Sequence, residues 1–517
     1  MAKNETLFIK PKRVTDLRCE CSAEISLPDY NTDVRKILYF TATPHHVSSF
    51  ASADALECSG EVTFDVVYLD FEGAIFSASF SGDYNFKVKC DTGGYRDSLV
   101  ETRLDNLSLR LMSPRKISAK ATLDSNVLIL SEAALVLEGD ALDASLEPQL
   151  EHSFAMVRKT SITPPEEREY AESLCRFEGK TVDDVQLLHL YAKPKIERLS
   201  TDGEGCELNG SILVEALIKT DEAPLYKLEK KLDLSQRIAL NEVSADAELY
   251  AHLDVLSSSV AVRGDESGVE LALDLICETR IVCEENQRLE LVSDSYLCSC
   301  DVENTYYDFP FEEYLCKIHD EQEISEKIPF DSLGIGKLRD LVFTTAVPRI
   351  KSKSIDGDNL LIEGEILVSS IANEINDENL VETIPLKFSR EFAKNVNLTY
   401  QNSENSDIFV DIDLQDLSVN IDANCICLRS KMQIECALTE RKNMNILKAS
   451  SIVPNSDFVH NLSRIEVYYP VAGESLYSIA KSHHTTVKKI ATDNPDAAEV
   501  FATDEKNTAR KHPLIIT

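Results

Sequence analysis

Apolar and polar residues alternate over long stretches of the chain, which is the pattern of β-strands that bury one face. The alternation is most regular after three glycines, and each of these glycines follows a proline by sixteen positions. The three pairs are Pro44/Gly60, Pro194/Gly210 and Pro348/Gly364. A long spacing that recurs three times along one chain predicts a threefold repeat.

Further features recur within each copy. A tight hairpin is predicted at Asp202-Gly203 and at Asp356-Gly357, because Asp-Gly supplies the positive φ that such a turn requires; the first copy has Ser52-Ala53 there instead. A Leu-x-x-Leu-Ser motif follows further along each copy, at 104–108, 253–257 and 414–418. The combined pattern predicts a mainly β fold with three tandem antiparallel β-sandwich or barrel-like repeats.

A short helix is predicted ahead of the first proline. Pro28-Asp29 favours a turn, and Val34, Ile37 and Leu38 then follow at helical spacing after a cluster of residues that can cap a helix start. We expect this helix to cover one end of the first sandwich, and a role as a partner-binding knob is the alternative.

The C-terminal segment has a different pattern, which predicts a small β-α-α-β unit. Residues 467–471 alternate as a first strand, and Ser475 is placed to cap a helix in which Leu476 and Ile479 share one face. A second helix is expected to end near Asn494, since Pro495 prevents its continuation, and residues 513–517 supply the last strand.

Composition excludes some functions. The 517 residues carry 53 Lys and Arg against 89 Asp and Glu, a formal charge of −36, which disfavours nucleic-acid binding. Neither a signal peptide nor a stretch long enough to span a membrane is apparent, so we expect a cytoplasmic protein. The fourteen cysteines include three pairs two residues apart but no Cys-x-x-Cys pair, and are expected to be buried thiols, with late oxidative cross-linking as the alternative.

No catalytic constellation is predicted. The ten histidines are scattered, and the motifs of metalloproteases, serine hydrolases and phosphate-binding loops are absent from the sequence. Asp411 and Asp413 share a strand face, and Asp356 lies in a turn, but calcium requires more oxygen ligands at set positions. We therefore expect a protein that is not an enzyme, with no cofactor and no metal.

A resemblance to a known family follows from two of these features. Leu27-Pro28-Asp29-Tyr30 ahead of a short helix, followed by the proline and glycine pattern in tandem copies, resembles the SipL/SPOCS family of clostridial spore-coat morphogenetic proteins. The resemblance implies SPOCS-like β domains at 1–160, 168–300 and 310–452.

The C-terminal segment, 463–517, resembles a LysM domain. LysM domains usually bind N-acetylglucosamine chains in a groove between two loops, and this resemblance implies a groove in this segment. The groove residues would be Gly473, Glu474, Ser475, Leu476, Tyr477, Asn494, Pro495 and Asp496. Two features depart from the LysM pattern: Glu474-Ser475 follows the glycine, and no Pro-Gly-Gln precedes the last strand.

These resemblances imply a non-enzymatic scaffold in sporulation. The β domains would act as a multivalent arm, and the LysM domain would dock onto the coat's basement-layer ATPase at the forespore surface, on the mother-cell cytoplasmic side. The alternative is a peptidoglycan-binding anchor of cortex or cell wall, and a wall hydrolase is a third hypothesis.

Overall fold

The computed structural model describes residues 4–29, 31–90, 93–221, 225–240, 243–244, 247–376, 378–398, 406–454, 465–471, 473–495 and 513–517. The protein is mainly β and contains several antiparallel sheets. This part of the prediction from the alternating pattern is confirmed. None of the helices in the described ranges combines the length and the apolar content that a membrane crossing requires.

The first group of strands occupies residues 4–137. Its strands are β1 (Asn4–Ser26), β2 (Lys36–Ala51), β3 (Ala55–Leu69), β4 (Ile75–Lys89), β5 (Tyr95–Ser113) and β6 (Lys116–Leu137). They form two three-stranded sheets, β2-β3-β4 and β1-β6-β5. Val62, Phe64 and Tyr84 of one sheet pack against Ala121 and Leu123 of the other, so the group is a sandwich with its own core.

The second sandwich spans residues 149–296. Its strands are β7 (Gln149–Ile162), β8 (Glu166–Glu178), β9 (Val185–Thr201), β10 (Gly205–Thr220), β11 (Tyr226–Ala239), β12 (Glu248–Asp265) and β13 (Gly268–Tyr296). Sheet β9-β10-β11 faces a sheet in which the long β13 pairs with β12, β8 and β7. Pro164 and Pro165 separate β7 from β8, because proline has no N–H for the ladder. Residues 149–160, which the predicted boundary placed in the first domain, therefore pair with β13.

The third sandwich spans residues 302–452. Its elements are β14 (Val302–Pro329), α1 (Phe330–Leu333), β15 (Lys337–Asp356), β16 (Asn359–Ile375), β17 (Val381–Asn397), β18 (Ser406–Asp422) and β19 (Cys425–Ile452). The sheets are β15-β16-β17 and β14-β19-β18. β14 pairs with β19 from Val302 onward, eight residues before the predicted start of this domain at 310.

The C-terminal segment contains β20 (Glu466–Tyr468), α2 (Leu476–Ser482), α3 (Val487–Asp493) and β21 (Leu514–Ile516). β20 and β21 pair antiparallel, with Val467 opposite Ile515. The order of elements is the strand, helix, helix, strand order that the hydrophobic spacing predicts.

The recurring prolines and glycines have a structural cause. Each proline lies on an edge strand, opposite the residue two positions after the glycine: Pro44 faces Val62, Pro194 faces Ile212 and Pro348 faces Ile366. Each glycine lies beside an irregularity of that edge strand, where a Cβ atom would come within 2.4 Å of a backbone oxygen of the neighbouring strand. Only glycine permits this close approach of two strands.

The predicted Asp-Gly turns are present. Gly203 and Gly357 have φ of 92° and 62°, the left-handed conformation that glycine adopts without strain. The hairpin at Asp202 has a four-residue loop closed by the bond from Asp202 N to Gly205 O, and Ser52 and Ala55 make the same closure in the first sandwich. The first copy thus reaches the same turn with other residues.

The helix predicted around Val34, Ile37 and Leu38 is wrong. Residues 31–35 form no helix, and extended β2 begins at Lys36. A register shift between Ile37 and Tyr39 leaves the neighbours Leu38 and Tyr39 both buried, which disrupts the alternation and imitates helical spacing. Tyr30, the last residue of the motif ahead of it, lies outside the described residues.

The three sandwiches form a closed assembly rather than an extended arm. Strand β4 of the first contacts β9 of the second, β11 of the second contacts β15 of the third, and β17 of the third contacts β2 of the first. This is a head-to-tail arrangement that closes after three units. We call residues 4–452 the β-body. Each sandwich packs on both of the others, so the three β domains expected to act as a multivalent arm lie together in one body.

Three aromatic side chains meet where the sandwiches converge. Tyr39, His189 and Phe343 each lie five residues before the recurring proline. Their ring centroids are 5.2–5.6 Å apart in all three pairings, and all three side chains are buried. Aliphatic residues of all three sandwiches surround them: Leu38, Val67, Leu69, Ile75, Leu188, Leu217 and Ile371. Three residues at the same distance from a recurring proline thus build one shared core, and we call these three the axial aromatic cluster.

Ion pairs cross each joint between sandwiches. Arg280 binds Asp97 at 2.6 Å between the second and first, Lys195 binds Asp416 at 2.9 Å between the second and third, and Arg349 binds Asp105 at 2.8 Å between the third and first. Asp105 and Asp416 belong to the Leu-x-x-Leu-Ser motifs. This motif therefore marks joints of the assembly.

All fourteen cysteines lie in the described ranges and are free thiols. Seven are buried and seven are half-buried, so the predicted burial is complete for only half of them. Burial raises the pKa of the Cys436 thiol to about 12 and that of Cys277 to about 11, which suppresses the reactive thiolate.

Candidate binding surface of the C-terminal segment

The residues predicted as the first wall of the groove surround the start of α2. Gly473 adopts a φ of 97°, which makes the turn out of β20. Ser475 caps the helix: its hydroxyl accepts from Ser478 N at 3.1 Å, and the Ser478 hydroxyl accepts from Ser475 N at 3.0 Å. The polar groups of Ser475 are therefore used by the helix start itself.

The Glu474 carboxylate also has internal partners. It accepts hydrogen bonds from the Tyr468 hydroxyl at 2.8 Å and from Val471 N at 2.8 Å. These bonds tie the turn back onto β20, and the carboxylate raises the pKa of the Tyr468 phenol. Glu474 therefore shapes the loop instead of presenting a free carboxylate.

Asn494, on the predicted second wall, joins α3 to the last strand. Its side-chain amide donates to Ile490 O at 2.8 Å and to Ile515 O at 2.7 Å, and its side-chain oxygen accepts from Ile515 N at 2.7 Å. Pro495 is exposed beside it. Asp496 lies outside the described residues. Within the described ranges, no hydrogen bond connects 473–477 with 494–495, so the two predicted walls are not joined directly.

Leu476 and Tyr477 face inward rather than toward a groove. Leu476 packs against the core of the segment. The Tyr477 ring meets Tyr296 of β13 edge-to-face at 5.2 Å, and its hydroxyl donates to Gln149 O at 3.4 Å. Burial raises the pKa of Tyr477. Tyr477, predicted as a groove residue, thus lies at the contact between the C-terminal segment and the β-body.

The β-body completes the core of the C-terminal segment. Tyr296 is buried among apolar residues of both helices and of the last strand: Ile479, Ala480, Ile490, Leu514 and Ile516. The Tyr296 hydroxyl donates to Thr485 O at 2.8 Å, and the Lys481 ammonium pairs with Asp294 of β13. The segment is therefore docked on the second sandwich, which supplies Tyr296 to its core.

An exposed apolar strip lies on the outer side of the same segment. Val467 and Tyr469 are 57% and 65% exposed, and Ile465, Val471 and Ile515 are also exposed. The first four are two residues apart along one stretch, and Ile515 lies opposite Val467 on β21. We call these five residues the outer strip. Sequence reasoning missed it, although apolar residues at every position of 467–471 were a sign of a strand with two apolar faces.

The acidic residues considered for catalysis serve as structural partners. Asp411 binds Arg103, and Asp413 binds Lys193 at 3.2 Å, so both carboxylates connect different sandwiches. The His483 ring meets Tyr468 edge-to-face at 4.9 Å, and its Nδ1 lies 3.3 Å from the Glu466 carboxylate. In the described part of the chain, no three His, Cys, Asp or Glu side chains are grouped so that they could hold a metal ion.

Comparison with known proteins gives no family. No protein-family profile matches the chain, and no curated protein is similar to it. One solved structure, described as the crystal structure of lipopolysaccharide binding protein, is 7% identical, with 51% of this chain and 91% of that chain covered. The TM-score of this match is 0.09.

Proposed function

We propose that the protein is a non-enzymatic scaffold of the developing spore surface and that its C-terminal segment docks onto another protein. The β-body consists in this proposal of three copies of one SPOCS-like domain, at about 4–137, 149–296 and 302–452, and the C-terminal segment is a LysM-like domain. Two packed sheets in each span, the same proline pairing and the shared axial position support the three copies.

The outer strip is the observation that carries the docking proposal. Exposed aromatic and branched aliphatic side chains in one row are typical of protein-binding surfaces. The polar groups that a sugar-binding groove would offer, on Glu474, Ser475 and Asn494, are already hydrogen-bonded within the segment. An apolar surface next to polar groups that already have hydrogen-bond partners favours a protein partner over a glycan.

The family resemblance supplies the partner and the place. It points to the coat's basement-layer ATPase at the forespore surface, on the mother-cell side. Peptidoglycan remains the alternative ligand, because a LysM-like segment usually implies N-acetylglucosamine binding. Docking through a segment that is itself fixed on Tyr296 would hold the partner in one orientation relative to the β-body.

Binding of the full-length chain to the purified ATPase and to peptidoglycan sacculi tests the proposal. Tyr469→Ser removes the largest exposed side chain of the outer strip, and we expect it to weaken binding to the ATPase by about thirtyfold, as loss of an aromatic hot spot does. Phe71→Ser is the matched control, because Phe71 is 63% exposed in a hairpin turn of the first sandwich.

Two results would contradict the proposal. Equal losses in Tyr469→Ser and Phe71→Ser would mean that the outer strip does not carry the contact. The glycan alternative would be established if the chain sediments with sacculi and does not bind the ATPase. In that case Tyr469→Ser would sediment as the unmodified chain does. Asn494 is unsuitable as a test residue, because its bonds to Ile490 and Ile515 hold the segment together.

A further inference from the structure

The three sandwiches also meet around a deep cleft that the proposed scaffold function does not use. Its volume is about 780 Å³, which lies within the range of small-molecule sites, about 300–1,000 Å³. All three sandwiches contribute to its lining, with Phe8 from the first, Val157 from the second and Phe309 from the third. The cleft therefore exists only because the β-body closes.

Aromatic side chains form an apolar wall in the cleft. Phe8 and Phe309 meet edge-to-face at 5.6 Å, and Phe311 stacks on Phe309 at 6.0 Å. Val157 and Leu289 are buried behind them. A fixed aromatic wall of this kind is suited to an apolar chain or a flat fused-ring body.

The cleft continues into a shallower groove of about 530 Å³. Phe311, Arg441 and Lys442 line both, so the two spaces are contiguous. The groove adds Phe154 and Met156, which are 45% and 43% exposed. Large apolar side chains left open to water at this place extend the apolar path beyond the cleft.

The charge of the cleft differs from that of the chain. Six Lys or Arg and six Asp or Glu line it, whereas the whole chain has 53 and 89. Five of the six acids already have a cationic partner among the described residues: Glu101 with His252, Glu284 with Arg13, Asp407 with Arg441, Asp411 with Arg103, and Glu435 with Lys317. The lining of the cleft therefore has equal numbers of acidic and basic side chains, unlike the acidic chain as a whole.

The mouth of the cleft contains a cation that is not neutralised by contact. Lys10 is exposed, and its ammonium makes no ion pair or hydrogen bond with any described residue. Glu312, the sixth acid, lies within electrostatic range of Lys10 and Arg441, and burial raises its pKa, which disfavours its charged form. An anionic group at this place could therefore pair with the Lys10 ammonium, and the Glu312 carboxyl would oppose it less than a fully charged carboxylate.

We propose that the cleft and groove bind one elongated anionic amphiphile, a molecule with an apolar chain or fused-ring body and a carboxylate or phosphate head. The body lies along Phe309, Phe311 and Met156, and the head lies at the mouth, near Lys10 and Arg441. A free amphiphile, not the surface of a membrane, is the ligand, because the aromatic wall lies inside a cleft that one molecule fills.

Fluorescence of 8-anilinonaphthalene-1-sulfonate on the full-length protein tests this site, since the dye is anionic and brightens in apolar surroundings. We expect one site per chain and competition by monomeric laurate. Dodecanol and dodecyltrimethylammonium, which have the same chain with a neutral or a cationic head, are expected to compete at least about tenfold less well, because they do not pair with Lys10. Vesicles of anionic phospholipid are expected not to remove the dye.

Two variants locate the site, and each has a matched control. Lys10→Glu and Met156→Glu are expected to weaken dye binding by about fivefold or more, through charge repulsion and a polar group in the apolar path. Lys12→Glu makes the same charge change two residues along β1, outside the cleft, and Met112→Glu makes the same change at a methionine that is 51% exposed elsewhere. Both controls are expected to bind the dye as the unmodified chain does.

Several results would overturn the proposal. These are equal losses in the cleft variants and the controls, displacement by the cationic amphiphile as strong as that by laurate, or displacement by vesicles alone. Circular dichroism of each variant ensures that a loss of dye binding is not a loss of fold. Neither Lys10 nor Met156 is buried, so both variants are expected to fold.

Discussion

The β-body and the C-terminal segment are stabilised in different ways. Each sandwich has a core of its own, and the three share a further core at Tyr39, His189 and Phe343. The core of the C-terminal segment contains far fewer buried apolar residues. One member of this core, Tyr296, belongs to the β-body. The β-body thus consists of three sandwiches joined by a shared core, whereas the C-terminal segment packs on a side chain of the β-body.

This difference indicates where each kind of change acts. A defect at the axial aromatic cluster reaches all three sandwiches at once, because each contributes one of the three side chains. A defect at Tyr296 reaches only the contact with two short helices of seven residues each, which are too short to be stable alone. Mutations can therefore change the stability of the β-body and the attachment of the C-terminal segment to it separately.

The largest effect is expected at Phe343, which is 1% exposed in the axial aromatic cluster. Phe343→Ala should lower the free energy of unfolding of the β-body by about 3–5 kcal/mol, the cost of deleting a buried phenyl group. Urea denaturation followed by circular dichroism measures it. Phe71→Ala, at an exposed turn, should change stability by less than about 0.5 kcal/mol. A loss confined to the third sandwich in hydrogen exchange would contradict a shared core.

A second effect concerns the joint between the first two sandwiches. His252 lies 3.1 Å from Glu101 of the first sandwich and 2.7 Å from Asp254. Burial opposes the charged imidazolium, but the two carboxylates outweigh it and raise the pKa of His252 to about 10. A raised folded-state pKa gives stability that is complete below the unfolded value, near 6.5, and is lost as the pH rises toward 10.

The stability difference between the unmodified chain and His252→Gln should therefore shrink by about 3 kcal/mol between pH 6 and pH 9. Urea denaturation at both pH values measures it. Burial lowers the pKa of the neighbouring His46, which moves its titration away from the alkaline part of this window. His152→Gln, at an exposed histidine near Glu290, is the control and should show no such change. A difference that does not vary with pH would mean that His252 is neutral in the joint.

The sequence allowed the strands and the C-terminal elements to be predicted, because periodicity and capping residues are local signals. Hairpins at Gly203 and Gly357 and the cap at Ser475 are of this kind. Closure of the β-body was not predictable, since no local signal shows that Tyr39, His189 and Phe343 meet. Their common distance of five residues from the recurring proline becomes informative only once the structure is known.

Three differences between the sequence predictions and the structure have physical causes. The irregular pairing at Leu38 buried two neighbouring residues and imitated a helix. Tyr477 was assigned to a groove because its position in the motif was known, while its partner Tyr296 is far away in the sequence. The outer strip was overlooked because a change between apolar and polar residues is what distinguishes the buried face of a strand from its exposed face. Residues 467–471 are apolar on both faces and give no such signal.

The smallest and most selective effect is expected at the contact between the two regions. Tyr296→Phe removes only the hydroxyl that donates to Thr485 O, a buried bond worth about 1 kcal/mol. Hydrogen exchange of the amides in α2 and α3 should accelerate by about fivefold, whereas exchange in the β-body should not change. Mass spectrometry of deuterated peptides measures both in one experiment.

Tyr306→Phe is the matched control, because the Tyr306 hydroxyl donates to Asp294 at the exposed side of the same contact region and should matter less. Equal acceleration in α2, α3 and β13 would show that the segment and the second sandwich open as one unit. No acceleration in Tyr296→Phe would show that the Tyr296 hydroxyl does not hold the segment in place. The ion pair between Lys481 and Asp294 would then be the contact to mutate in order to detach the segment from the β-body.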